Sequence, residues 1–164
     1  IGCTSLTQAP ELPATTLANS CYGFTFTNCS SLTQAPSILP ATTLAEGCYS
    51  NMFSGCDSLT QAPELPATTL TKDCYSNMFS IANKLNWIKA LFTNAPSPSY
   101  TKNWVDGVYS QGVFVKSIDA NWITTGSYAV PTGWTVIYYD KTENKYFTTK
   151  YRDEECDKYG NPLV

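Results

Sequence analysis

Cysteine is the residue type here with the most chemistry on offer. Cys3, Cys21, Cys29, Cys48, Cys56 and Cys74 follow one another at gaps of 18, 8, 19, 8 and 18 residues, and Cys156 stands apart. No two are spaced as C-x-x-C and the chain has no histidine, so neither the usual zinc spacing nor an imidazole to activate a thiol is present. Two structural readings stay open. Buried thiols behave as small apolar side chains, whereas an oxidising compartment favours disulfides. Within-unit pairs 3–21, 29–48 and 56–74 leave none of the six unpaired, while pairs across the eight-residue gaps strand Cys3 and Cys74.

Carboxylates are the second possibility. Glycosidase chemistry needs two of them flanking a cleft, but Glu11 and Glu64 hold the same place in two related segments and read as a decorated face. Asp153, Glu154, Glu155 and Asp157 lack the order of oxygens and glycine of a calcium loop and read as a solvated turn. Arg152 is the one arginine, which removes most bidentate clamps. The sequon Asn28-Cys29-Ser30 and the triplet Asp57-Ser58-Leu59 carry little weight as modification sites. No catalytic residue, metal site or cofactor is expected.

The elements that would position these groups are repeats. From Gly2, Asn28 and Gly55 the chain runs through three copies of a unit built on SLTQAP, LPATTL and CY, with periods of 26, 27 and 26 residues. The extra residue falls at Ser37-Ile38, and a fourth copy from Ile81 has Ala82 in place of cysteine but keeps Leu85, Ile88 and Leu91. Columns of Leu (6, 32, 59, 85), Ala or Ile (9, 35, 62, 88), Cys and Phe (26, 53, 79) recur at fixed offsets. Stacked units place each column against itself, and this period lies in the leucine-rich-repeat range. Ser-Leu-Thr-Gln-Ala is the strand candidate of each unit, with Leu inward and Gln outward, ended by Pro10, Pro36 and Pro63. Leu-Pro-Ala-Thr-Thr-Leu turns the corner, and the Cys-Tyr-Ser-Asn-Met-Phe stretch returns as a short helical turn or an irregular arc. The expected fold is thus a leucine-rich-repeat solenoid over 1–92, with one short parallel strand per unit. Ile1 aligns with Thr27, Ser54 and Ser80 at the close of a preceding unit, so the first unit is expected to lack a polar cap.

The string Phe53-Ser54-Gly55-Cys56-Asp57-Ser58-Leu59 with a proline-bounded leucine resembles the BspA-like leucine-rich repeats of surface and secreted proteins from anaerobic bacteria. That resemblance implies a right-handed solenoid outside the cell that adheres to host matrix, other cells or glycans. The Ala-Pro-Glu-Leu-Pro-Ala-Thr-Thr-Leu arc is longer than the commoner unit of that family.

Beyond the connector Asn94-Ala-Pro-Ser-Pro-Ser99 the composition turns aromatic. Residues 93–139 are expected to form a small β-rich cap, with strands at Val113–Val115 and Trp134–Tyr139. The series W-V-x-G-V, G-x-F-V-K and P-x-G-W-T-V is similar to the segment that closes repeat arrays in the same proteins. Trp104, Trp122 and Trp134 then either bury the last unit or make a sugar-stacking platform. Residues 140–164 read as a hairpin and charged tail leading to a further domain or contact.

With ten Lys plus Arg against thirteen Asp plus Glu, the net charge of −3 gives no reason to expect nucleic acid, and no apolar run approaches the ~20 residues of a membrane span. Exposed columns are expected from Thr7, Thr33 and Thr60, from Gln8, Gln34 and Gln61, and from Tyr22, Tyr49 and Tyr75. The glutamine and tyrosine columns are the candidate binding residues. Together with what the resemblance implies, they point to an extracellular or bacterial cell-surface adhesion module for a protein or glycan ligand. The alternative is a structural subunit of a filament, surface coat or phage appendage, whose partner is a further copy of itself.

Overall fold

Proline placement decides where this chain makes a sheet. In the third unit Pro63 follows Gln61-Ala62, and Pro66 comes three residues later; neither can donate to a ladder. In the fourth unit the matching places are held by Lys89 and Phe92, and there the first strand forms. The computed structural model describes residues 2–164, so the expected uncapped start at Ile1 lies outside the described residues. Strand β1 (Trp87–Ala90), helix α1 (Pro98–Thr101), β2 (Val113–Ser117), β3 (Thr135–Asp140), β4 (Lys145–Phe147) and β5 (Glu155–Cys156) are its regular elements. The strands make one sheet in the order β1-β2-β3-β4-β5. The first three are parallel, with Trp87 opposite Val113 and Val113 opposite Thr135, and β4 and β5 add antiparallel.

This corrects the expected leucine-rich-repeat solenoid. Among the described residues there is no strand before Trp87, and Ser-Leu-Thr-Gln-Ala contributes only isolated parallel bridges such as Gln8–Gln34 and Gln61–Trp87. The fold is a compact β-rich domain around a single open, mixed five-stranded sheet with almost no helix. Prolines at two nearby places in each of the first three units cut the ladder to one bridge at a time.

The backbone groups of the repeats are satisfied in another way. Over 19–29, every second N–H closes a turn onto the carbonyl three residues back, as Cys21 to Ala18, Gly23 to Ser20 and Thr25 to Tyr22. The N–H groups between them cross to the next unit, Ser20 to Glu46, Tyr22 to Cys48, Phe24 to Ser50, Phe26 to Met52 and Asn28 to Ser54, at 2.7–3.0 Å. The arcs beginning at Gly47 and Asp73 repeat the scheme. Every other turn puts its third residue at positive φ, as a type II turn requires: Ser20, Phe24 and Asn28, then Gly47, Asn51 and Gly55, then Asp73, Asn77 and Ile81. The chain thus accounts for its amides by alternation, with neither helix nor strand.

Within this arrangement the apolar columns lie between units. Leu32, Leu59, Cys48, Cys74, Phe53 and Phe79 are fully buried, and Phe26, Phe53 and Phe79 stack at 5.4 and 5.7 Å between ring centres. Trp104 continues the core toward the sheet, against Tyr75 at 5.7 Å and Phe114 at 6.1 Å. Ile88, Ala90 and Phe114 share that core, whereas the opposite sheet face buries Trp87, Val115, Ile137 and Cys156 under the C-terminal strands. All four indoles are at most 7% exposed, and each N–H donates to a carbonyl: Trp87 to Lys158, Trp104 to Ala129, Trp122 to Phe92 and Trp134 to Tyr109. They are packing groups, and no flat stacking platform is left among them.

Candidate functional site

The glutamine column is where polar groups gather in a concave place. Gln8, Gln34 and Gln61 are exposed and line a groove of about 560 Å³ together with Thr33, Thr60, Glu11 and Glu64. Leu32 and Leu59 are buried while the threonine and glutamine that follow each of them are exposed, and the bridges Gln8–Gln34 and Gln61–Trp87 hold the row in register.

The two carboxylates of the groove are held differently. Glu11 accepts from the backbone N–H of Ser37 at 2.9 and 3.2 Å and from its hydroxyl at 2.9 Å. Glu64 pairs at 3.2 Å with Lys89, which is only 4% exposed, donates to the Tyr146 hydroxyl at 3.0 Å and lies 3.8 Å from the centre of the Tyr139 ring. Burial works against the Lys89 ammonium, but the Tyr146 hydroxyl and Glu64 outweigh it and hold its pKa above the ordinary lysine value. Lysine therefore keeps its charge at the place where the preceding unit has Pro63, and it anchors Glu64 from beneath.

The far wall is the C-terminal tail. Lys158 lines the groove and its carbonyl accepts from the Trp87 indole at 3.0 Å, while Gln61 donates to the Tyr159 hydroxyl at 3.4 Å. The Gln61 hydrogen bond, helped by neighbouring Lys158, holds the Tyr159 phenol below its ordinary pKa. Sequence reading missed Trp87, Lys158 and Tyr159 as members of this site. Trp87 does occupy the glutamine place in the fourth unit, which was a usable signal; nothing in the tail announced its return. Amides, hydroxyls and anchored carboxylates suit hydrogen bonding to a neutral, polyhydroxylated or amide-bearing surface.

The tyrosine column is not part of that surface. Tyr49 and Tyr75 are each 1% exposed, and Tyr22 is half-buried. The rings stack at 5.9 and 6.1 Å inside the core, since each lies on the inward side of the turn arc. Burial pushes both the Tyr49 and Tyr75 phenols well up, and the Tyr49 hydroxyl has no hydrogen-bond partner. The expected exposure of this column is therefore overturned at Tyr49 and Tyr75, which pack in the core, while Tyr22 stays half-covered.

The other chemistry-bearing residues also find structural roles. All seven cysteines are free; Cys3 and Cys21 are exposed and the other five buried. Burial pushes the Cys48 and Cys56 thiols up to about 12 and Cys74 up to about 11, which keeps them protonated and unreactive. In the acidic tail, Asp153 accepts from the Thr149 hydroxyl, Glu154 from the Thr148 hydroxyl at 2.5 Å, and Glu155 pairs with Lys145 at 2.9 Å. Asp157 caps the N–H groups of Tyr159 and Asn161 at 2.8 and 2.9 Å. Among the described residues no three His, Cys, Asp or Glu side chains are grouped to hold a metal ion, and no helix is long and apolar enough to cross a membrane. No family model, curated protein or solved structure matches the chain.

Proposed function

We propose that this protein is a non-catalytic binding module that works outside the cell, on a bacterial surface or in secreted form, and holds a glycan or protein ligand along the Gln8–Gln34–Gln61 groove. The observation that carries the reading is the groove itself. It is the place where exposed amides, hydroxyls and two anchored carboxylates converge. The resemblance of the repeat strings to BspA-like adhesive proteins supports the extracellular setting, and the absence of histidine in a chain with one arginine supports binding without turnover.

Glycan and matrix-protein arrays test this. The protein is expected to capture one ligand class, and Gln34→Ala and Gln61→Ala are each expected to weaken it about 2- to 10-fold, the worth of one hydrogen bond. Tyr49→Phe, buried away from the groove, is expected to leave binding unchanged. Empty arrays, or capture indifferent to both glutamine changes, sink the reading.

A filament of identical copies draws less support. Head-to-tail stacking would need an open row of backbone donors at the far end of the repeats, and there Val105 already donates to Ser127 and Trp104 is buried under Ala129.

A further inference from the structure

The groove has a break in its main-chain pairing. Along the glutamine row, a bridge between neighbouring segments is closed by main-chain hydrogen bonds. Gln34 gives its N–H to the Thr7 carbonyl at 3.2 Å and accepts from the Ala9 N–H at 2.9 Å. Beside Gln61, the Trp87 carbonyl accepts from the Ala62 N–H at 3.0 Å and the Thr60 carbonyl from the Asn86 N–H at 2.9 Å. Between Gln34 and Gln61 there is no bridge. Among the described residues, the Thr33 carbonyl, the Ala35 N–H and both main-chain groups of Gln61 have no main-chain partner. The side chains around them are engaged elsewhere, Glu11 with Ser37, Glu64 with Lys89 and the Gln61 amide with Tyr159.

The extra residue at Ser37-Ile38 causes the break. Pairing resumes at the Ile38–Glu64 bridge, four steps past Gln34 on one side and three past Gln61 on the other. Two runs of unequal length cannot close every rung, and the longer one bulges. Glu64 is fixed by its N–H on the Ser37 carbonyl and by its carbonyl under the Leu39 N–H, both at 3.0 Å, so the mismatch falls on Gln34 and Gln61. Thr33, Gln34, Ala35 and Gln61 all line the groove of about 560 Å³, a size that takes a ligand.

The neighbouring rung shows what fills such a pair of groups. The Thr7 carbonyl and Ala9 N–H flank Gln8 as the Thr33 carbonyl and Ala35 N–H flank Gln34, and they are met by the N–H and C=O of a single amino-acid residue. An extended peptide carries one donor and one acceptor at that spacing on every residue. Sugar hydroxyls carry no such fixed order.

We propose that the ligand of the groove is an extended polypeptide segment held through its main chain, one residue giving its N–H to Thr33 and taking that of Ala35, with its neighbours on the main chain of Gln61. This rests on the groove reading above and narrows it from glycan or protein to peptide.

The test screens the protein against an array of random hexapeptides and an array of neutral oligosaccharides, then resynthesises the best peptide with one backbone N-methyl group at each position in turn. Capture of a peptide is expected, with a loss of about tenfold or more at one N-methyl position. Hydrogen exchange at Ala35 and Gln61 is expected to slow when that peptide is added, with Ala9 and Ala62 unchanged. A peptide indifferent to every N-methyl group, or any captured peptide or oligosaccharide that leaves the Ala35 and Gln61 amides exchanging as before, overturns the inference; if Gln34→Ala and Gln61→Ala still weaken that capture, the groove reading stands without it. Empty arrays overturn both.

Discussion

The repeats before Trp87 and the sheet from Trp87 to Cys156 solve one problem in two ways. Both must pair buried amides. The sheet does so with continuous ladders, four residues long between β1 and β2 and five between β2 and β3. The repeats do so with chains of turns in which alternate N–H groups cross between units. The difference traces to a few residues: Pro10, Pro36 and Pro63 forbid the ladder, and Lys89 allows it. Periodic sequence therefore specifies which units touch, but it does not by itself specify strands.

The largest expected effect probes the stacking of columns. Leu59→Ala empties a fully buried place and is expected to cost about 2–5 kcal/mol, while Leu6→Ala, at the same repeat position but half covered, is expected to cost under about 1 kcal/mol. Urea denaturation measures both, and equal losses would refute the contrast between an inner unit and the open one. Lys89→Pro attacks the line between the regions. It places a proline inside β1 and leaves Glu64 without its buried partner, for an expected loss of about 3 kcal/mol, with hydrogen exchange accelerated at β1 and β2 before the arcs.

Alkaline pH separates the regions by sign. Cys48, Cys56 and Cys74 have thiols raised from 9.0 to about 12, 12 and 11 by burial. The unfolded chain loses those protons first, so stability present below pH 9 is lost as pH rises toward 11–12, on the order of 1 kcal/mol per pH unit for each thiol. Lys116 in β2 acts oppositely. Buried over the Trp122 ring, with Lys150 the next contributor, it is lowered from 10.5 to about 8; the unfolded state then holds the extra proton, and its contribution improves from pH 8 to 10.5. Hydrogen exchange from pH 8 to 11 is expected to show the arcs opening more readily than the sheet, and a uniform loss would break the distinction. The smallest effect is at Ile81, a β-branched residue at φ 54° and 55% exposed, where its column otherwise carries Asn28, Gly55 and Gly107. Ile81→Gly is expected to raise stability by about 1 kcal/mol, read as a higher Tm.

How much of this was legible follows from the kind of signal each part carried. The runs at Val113–Val115 and Trp134–Tyr139 are apolar, β-branched and aromatic, free of proline and bounded by turn residues, and strands stand there. The repeat columns told which leucines are buried, but the prolines that close the Ser-Leu-Thr-Gln-Ala candidates stand where no strand forms, only single bridges. In the groove, Gln8, Gln34 and Gln61 could be placed outside because they are polar side chains set between recurring apolar Leu and Ala columns. The tyrosines were misplaced because a chain of turns has no period of two or 3.6 from which to read facing. Lys158 and Tyr159 reach the groove only through tertiary return of the tail.

The alternation of the arcs acts as a reading frame written in the backbone. Inserting one residue into an arc would exchange the role of every amide after it, turning those that cross between units back into their own turn and moving each left-handed residue off its place. An arc can therefore change length only in whole steps of its pattern, and odd changes must fall at the corners. The irregularity of length in the repeat obeys this: the extra residue of the 27-residue unit sits at Ser37-Ile38, outside the arc, where Ile38 bridges to Glu64 and Leu39 donates to the Glu64 carbonyl at 3.0 Å. Sequence drift in such a chain is free at the corners and frame-locked along the arcs.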